Sequence, residues 1–253
     1  MEKSSLAAES LRDSPAYPAT QHEITQEAAL TQDIVTKIAV LGGTGKEGSG
    51  LALRWAAASY DVTLGSRELE KAQRAAAELN VTLGQGSVRG LTNRAAAAQA
   101  DIVVMAVPYT AHTATLESIR DVVQGKVFVD VTVPLDMQNV RRVKMPAAGS
   151  ASIEAQQLLG EGVKVVAAFQ NISAEHLKSL NHEIECDVLV CGNDKDAKRQ
   201  VIELAEAARV QAWDAGPIEN AVVVEGMTSV LINLNIKHKV KAAGIRITGI
   251  PRP

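Results

Sequence analysis

Long-range charge and cysteine are both scarce in this chain: 253 residues carry a formal net charge of -3 and two cysteines. With so little net charge, no global field draws the protein to nucleic acid or to an anionic membrane, and any basic site must be local. Cys186 and Cys191 flank a strand-like DVLV run, and their odd separation puts the side chains on opposite faces of a strand. No disulfide between them is expected, and a reducing cytoplasm fits. A basic start, apolar stretch and small-residue cleavage site are missing, so no secretory signal is expected. The apolar region near the C-terminus is broken by Glu225, Thr228, Asn233 and Asn235, too polar for a membrane span. His22, His112, His176, His182 and His238 show no metal-ligand spacing with one another or with the cysteines, so no metal is expected. A G-x-S-x-G nucleophile elbow is also absent.

What is present is an ordinary globular composition, 46% hydrophobic and 22% charged, long enough for one large core or two modest ones. Residues 1–36 are rich in Ser, Thr, Ala, Gln and Glu, contain Pro15 and Pro18, and read as a mobile extension. From Lys37, short β-branched runs (KIAVL, DVTLG, SVRGL, DIVVMAV, KVFVD, KVVAAF) alternate with Ala-rich amphipathic stretches. That alternation is the mark of βαβ units: an α/β fold with a Rossmann-type doubly wound parallel sheet over 37–169. Residues 170–253 change rhythm and suggest a smaller C-terminal α/β lobe packed on the first.

The run KIAVLGGTGKEGSGLAL begins this domain. Gly45-Lys46 invites a triphosphate P-loop reading, but Glu47 stands where that motif needs Ser or Thr, and Val40 where it needs Gly. The spacing Gly43-x-Gly45-x-x-Gly48 between a strand and a helix instead suits a pyrophosphate: a tight turn, a close backbone approach, and close helix packing. Helix N-terminal amides then face the anion. At the end of the second strand, where a carboxylate would hold the ribose of NAD, the chain has Ser66 and Arg67. A hydroxyl and a guanidinium suit a 2'-phosphate, Lys71 adds a charge on the same face, and Thr44 is near. This favours NADP over NAD; the plainer reading, a capping Ser66 and a solvated Arg67, is compatible with it. Val107, Pro108 and Tyr109 follow the fourth strand at the sheet edge where a nicotinamide lies. His112, at a helix start, is expected to be solvated rather than catalytic.

Several segments together carry a more specific likeness: GGTGKEGSGLALRWA, GSRELEKA, GLTNRAAAAQADIVVMAVPY, KVVAAFQNISAEHL, DVLVCGNDKDAK and GPIENAVVVEGMTSVLINLN. They resemble the NADP-dependent coenzyme F420 reductase family, from Lys37 to about Lys241 (F420 names a deazaflavin). The resemblance implies reversible hydride transfer between NADP(H) and the deazaflavin, with no catalytic acid or base because two held rings need only positioning. It implies that Thr44, Ser66, Arg67 and Lys71 bind the 2'-phosphate end, and that Gly43, Gly45, Lys46, Glu47 and Gly48 form the pyrophosphate loop. Val107, Pro108 and Tyr109 would take the nicotinamide side. Gln170, Asn171, Ile172, Ser173 and Ala174, with Gly226, Met227 and Thr228, would take the deazaflavin. Gln170-Asn171-Ile172-Ser173 departs from the family's usual His-Thr-Ile-Pro, and a Gln can donate to a ring carbonyl but cannot titrate. Arg141, Arg142 and Lys144 either meet the acidic tail of the deazaflavin cofactor or form a solvated basic loop.

A homodimer built partly on the last apolar helix is a further implication of the likeness. Two other readings stay open from the residues. One is an NADPH-dependent reductase of a small carbonyl or imine, which would need a proton donor such as Tyr109, His112 or His176. The other is a dinucleotide-binding redox sensor whose second lobe contacts a partner protein, a reading that only the 1–36 extension favours.

Overall fold

In KIAVL only Lys37 is polar, and the run forms β1, Lys37–Leu41, buried from Ile38 onward. Such continuous apolar runs suit strands covered on both faces by helices. The computed structural model describes residues 35–251, so most of the expected 1–36 extension lies outside the described residues. Five more strands follow: β2 Asp61–Ser66, β3 Arg89–Thr92, β4 Ile102–Met105, β5 Val127–Asp130 and β6 Lys164–Ala167. Between them lie α1 Lys46–Ala57, α2 Leu69–Leu83, α3 Asn93–Gln99, α4 Tyr109–Ile119 and α5 Ala151–Leu159. Thr92 and Ser150 start α3 and α5 by accepting from Ala95 N and Ile153 N, satisfying amides that the first helical turn leaves open. β1 to β6 are parallel in the order 3-2-1-4-5-6, so the chain reverses its winding between β1 and β4. A crevice at the carboxyl ends of those two strands is the place where this architecture takes a dinucleotide.

After β6 come α6 Ala174–Leu177, β7 Val188–Gly192, α7 Lys195–Ala207 and β8 Ala212–Asp214. A 3-10 turn at Ile218–Asn220 leads into α8, Ala221–His238. β7 pairs antiparallel with β6, and β8 parallel with β7, so the C-terminal strands continue the same eight-stranded sheet. The fold is α/β and Rossmann-like. Cys186 and Cys191 are free and buried. Among the described residues no helix is long and apolar enough to cross a membrane.

Aliphatic residues fill two layers, one on each side of the sheet. The first layer contains the largest rings, Trp55 and Phe169, packed edge-on at 5.8 Å. Trp55 Nε1 donates to Leu204 O at 2.8 Å, which ties α1 to α7. Beside it, Arg54 is buried and donates to five carbonyls, those of His176, Leu177, Ser179, His182 and Ala208. Irregular chain after α6 is thereby fastened to the Rossmann helix that starts at the glycine loop.

Candidate active site

The glycine loop turns where a side chain has no room. Gly42 adopts φ 73, and a Cβ there would lie 2.6 Å from Ala106 O. At Gly48 a Cβ would come within 3.0 Å of Gly42 O and Gly43 Cα, so the start of α1 rests directly on the loop. Sequence spacing assigned the tight turn to Gly43; the left-handed residue is Gly42, one position earlier. The first amides of α1 have no intrahelical acceptor and face the carboxyl edge of the sheet.

A cleft of about 270 Å³ opens there. Thr44 and Gly45 line it from the loop, Ser66, Arg67 and Lys71 from the end of β2 and the start of α2, and Val107 and Pro108 from the turn after β4. These are the residues that the sequence nominated for the 2'-phosphate and for the nicotinamide side, and the fold brings them into one concavity. Ser66 Oγ accepts from Glu68 N at 3.2 Å, while Lys71 Nζ donates to Glu68 at 2.6 Å. Lys71 holds the exposed Glu68 carboxyl below its ordinary range. Arg67 is exposed and makes no hydrogen bond among the described residues, so its donor fork stays available. A pyrophosphate fits the bare backbone at Gly42 to Gly48, and a terminal phosphate fits the hydroxyl and the two cations.

Lys46 and Glu47 sit differently. Lys46 leaves the cleft for Glu175 on α6 at 3.3 Å, an exposed pair. Glu47 Oε1 has no hydrogen-bond partner among the described residues, and burial pushes its carboxyl up to about 8.

Tyr109 lines a neighbouring groove of about 360 Å³ with Pro134, Leu135, Met137, Lys144 and Pro146. Its hydroxyl donates to Glu154 at 2.9 Å, and burial, reinforced by that bond, pushes the phenol up to about 12. Pro108 and Tyr109 therefore form the wall between the two concavities. Lys144 reaches this groove, whereas Arg141 and Arg142 do not line it.

The segment nominated for the second ring is tied down more firmly than sequence suggested. Phe169 adopts φ 73, a left-handed conformation unusual for a bulky residue, and turns the chain at the edge of β6. Gln170 is buried and donates Nε2 to Asp130 O at 2.8 Å, while its own carbonyl accepts from Thr228 Oγ1 at 2.8 Å. Asn171 is buried and donates to Asp187 O at 2.7 Å. Ile172 is buried; Ala174, Met227 and Thr228 are half-buried.

Three acid-base groups lie behind these walls. His112 is fully buried, against the expectation of a solvated helix-start histidine, because β5 carries Asp130 beneath α4. Its Nε2 lies 2.7 Å from Asp130 Oδ2. Burial pulls the imidazole down, but the bond to Asp130 and the charges of Asp130, Glu154 and Glu225 outweigh it and leave it above its usual range. Glu225 on α8 accepts from the Ala151 and Ser152 amides and from Ser152 Oγ, capping α5. Burial, then Asp130, push the Glu225 carboxyl up to about 7. Asp130 and Glu225 were not among the site residues that the sequence nominated, although each is a lone acid in an apolar run, in VFVD and in AVVVEGM.

Comparison with known proteins agrees with this geometry. A family model described as NADP oxidoreductase coenzyme F420-dependent matches residues 37–134. A curated F420-dependent NADP reductase from Methanothermobacter thermautotrophicus is 46% identical over 225 residues, covering 86% of this chain and 97% of that protein. One from Methanocaldococcus jannaschii is 41% identical, covering 85% and 99% respectively. Among solved structures, a putative F420-dependent NADP reductase from an Arthrobacter species superposes with a TM-score of 0.70 at 27% identity, covering 83% of this chain and 98% of that one. This chain belongs to the family of F420-dependent NADP reductases.

Proposed function

We propose that this protein is an oxidoreductase that moves a hydride reversibly between NADP(H) and coenzyme F420. The observation that carries the reading is the single cleft that joins Thr44, Ser66, Arg67 and Lys71 to Val107 and Pro108 at the strand-order switch point. One end matches a 2'-phosphate and the other a nicotinamide ring, with the glycine loop between them. NADP(H), when bound, supplies or accepts the hydride. The chain's own residues fix the phosphate ends, orient the ring against Pro108 and Tyr109, and keep water out. We assign Gln170, Asn171, Ile172 and Ala174, with Met227 and Thr228, to the deazaflavin side, and residues 37–169 and 170–253 to NADP binding and to deazaflavin and subunit contacts. Since Gln170 commits an amide N–H to Asp130 O and Asn171 commits its amide to Asp187 O and Cys186 Sγ, their part on that side is to shape the turn. Backbone groups and the half-buried Ala174, Met227 and Thr228 are left to meet the ring.

We place the protein in the cytoplasm, as its free, buried thiols suggest, and expect a homodimer through α8. Purified protein mixed with NADPH and oxidised coenzyme F420 should bleach the deazaflavin absorbance, and added NADP with reduced cofactor should restore it. Absence of turnover in both directions at micromolar enzyme sinks the reading.

A further inference from the structure

His112 and Asp130 are both 0% exposed, and a buried pair of this kind is weak evidence of stabilisation because its desolvation offsets its attraction. Two nearby polar atoms, His112 Nδ1 and Gln170 Oε1, are buried with no hydrogen-bond partner among the described residues. What the pair does achieve is connection. Asp130 closes β5 opposite Met105, at the carboxyl edge of the sheet. Its Oδ2 holds His112, one helical turn beyond Pro108 and Tyr109. Its Oδ1 accepts from Thr132 N at 3.0 Å, and Thr132 Oγ1 reaches back to Val107 O at 3.5 Å. Its carbonyl accepts from Gln170 Nε2 and from Ala168 N. Gln170 O in turn takes the hydroxyl of Thr228 on α8. One unbroken run of hydrogen bonds thus passes from the turn on the nicotinamide side, through Asp130, to the left-handed turn at Phe169 and on to α8.

We infer that His112 and Asp130 are a positioning pair, which locks the Val107–Tyr109 turn to the Gln170 turn and so sets the separation of the two rings between which the hydride moves. The inference rests on the hydride-transfer reading of the site. It assigns neither residue a proton-transfer step; both act through the walls that they hold. A displacement of about 1 Å at such a wall lowers a transfer rate by about a hundredfold, while the phosphate end of NADPH, held by Arg67 and Lys71, is untouched.

His112→Phe keeps a buried ring and removes the bond that ties α4 to Asp130; His112→Gln returns an N–H within reach of Asp130. For His112→Phe the expected result is a fall in kcat of about 10- to 100-fold with a raised deuterium isotope effect from labelled NADPH. The NADPH dissociation constant, read by nucleotide fluorescence, should stay within about threefold, as for a group absent from ground-state binding. His112→Gln should recover most of the rate.

The wild-type pair is ionic only while His112 is protonated, so its contribution is complete at low pH and fades as pH rises through the raised imidazole value. The groups that face His112 are Asp130 on β5, Glu154 on α5, Glu225 on α8 and Tyr109 on α4. An alkaline loss of kcat in the wild type, missing in His112→Gln, is the expected signature, as is a His112 ring NMR titration in the ligand-free protein above that of a free histidine. Should His112→Phe fail to fold, Gln170→Leu cuts the next link without stranding a buried charge and is expected to show the same split between kcat and NADPH binding. Variants that melt earlier yet keep the wild-type kcat and isotope effect overturn the inference alone. A wild type without turnover overturns it together with the reading on which it rests.

Discussion

At the scale of single residues, the choice of dinucleotide turns on two cations in different electrostatic states. Lys71 is held by Glu68 at 2.6 Å, so an incoming phosphate must compete for it. Arg67 makes no such bond among the described residues and offers a planar fork that a phosphate can accept from two sides. Removal of Arg67 should therefore fall on the 2'-phosphate and on little else. Arg67→Ala is expected to raise the Michaelis constant for NADPH by about 10- to 100-fold, the loss of one charge-assisted hydrogen bond of about 1.5–3 kcal/mol. The constant for NADH, which lacks that phosphate, should stay nearly as it was. Parallel steady-state titrations with both nucleotides decide it, and equal losses would remove Arg67 from the phosphate site.

At the scale of elements, the parts legible in sequence are those fixed by short-range patterning. Each β-branched run from KIAVL to KVVAAF became a strand, and the glycine loop, Ser66-Arg67 and Val107-Pro108 met in one cleft because strand ends in a doubly wound sheet must converge there. Long-range partnerships were not legible. His112 looked solvated because nothing in its own helix turn says that β5 will place Asp130, eighteen positions on, beneath it. Lys46 looked like a loop cation until α6 brought Glu175 alongside.

Arg54 is the strongest case: an arginine in an Ala-rich helix, whose five acceptors come from the last residues of α6, the chain just after it and the end of α7. It fastens the element that opens at the pyrophosphate loop to the segment that follows the Gln170 turn. Arg54→Met keeps the stem and leaves buried carbonyls without a donor. A loss of about 3 kcal/mol or more is expected, since bonds to a charged donor contribute about 1.5–3 kcal/mol each. For a domain of this size that is a drop of roughly 6–12 °C in Tm by calorimetry. A shift below a degree would mean that the carbonyls find water instead.

At the scale of the whole molecule, α8 carries apolar side chains that stand exposed among the described residues. Ala221, Val224 and Leu231 are buried against the second layer or beside it, yet Val223, Val230 and Ile236 are 60%, 49% and 52% exposed on the same helix. Val223, Met227, Val230 and Leu234 follow one another at steps of four, three and four, the spacing of a seam that packs against another helix. In the proposed homodimer, a second copy related by a twofold axis would cover this stripe with the same stripe of its own.

Met227 lies within that stripe, so the proposed subunit contact and the proposed deazaflavin side would share a wall, whereas the cleft assigned to NADP lies on elements from β1 to α4. Val223→Glu combined with Val230→Glu places charges in an apolar contact, where each lost valine, already about half covered in one copy, forfeits about 1 kcal/mol of burial. Sedimentation equilibrium should then give a monomer of 26.8 kDa for the variant and twice that mass for the wild type. The monomer should retain its affinity for NADPH and show a raised Michaelis constant for the deazaflavin. A wild type that sediments as a monomer at tens of micromolar refutes the contact, and a monomeric variant with both constants unchanged refutes the shared wall.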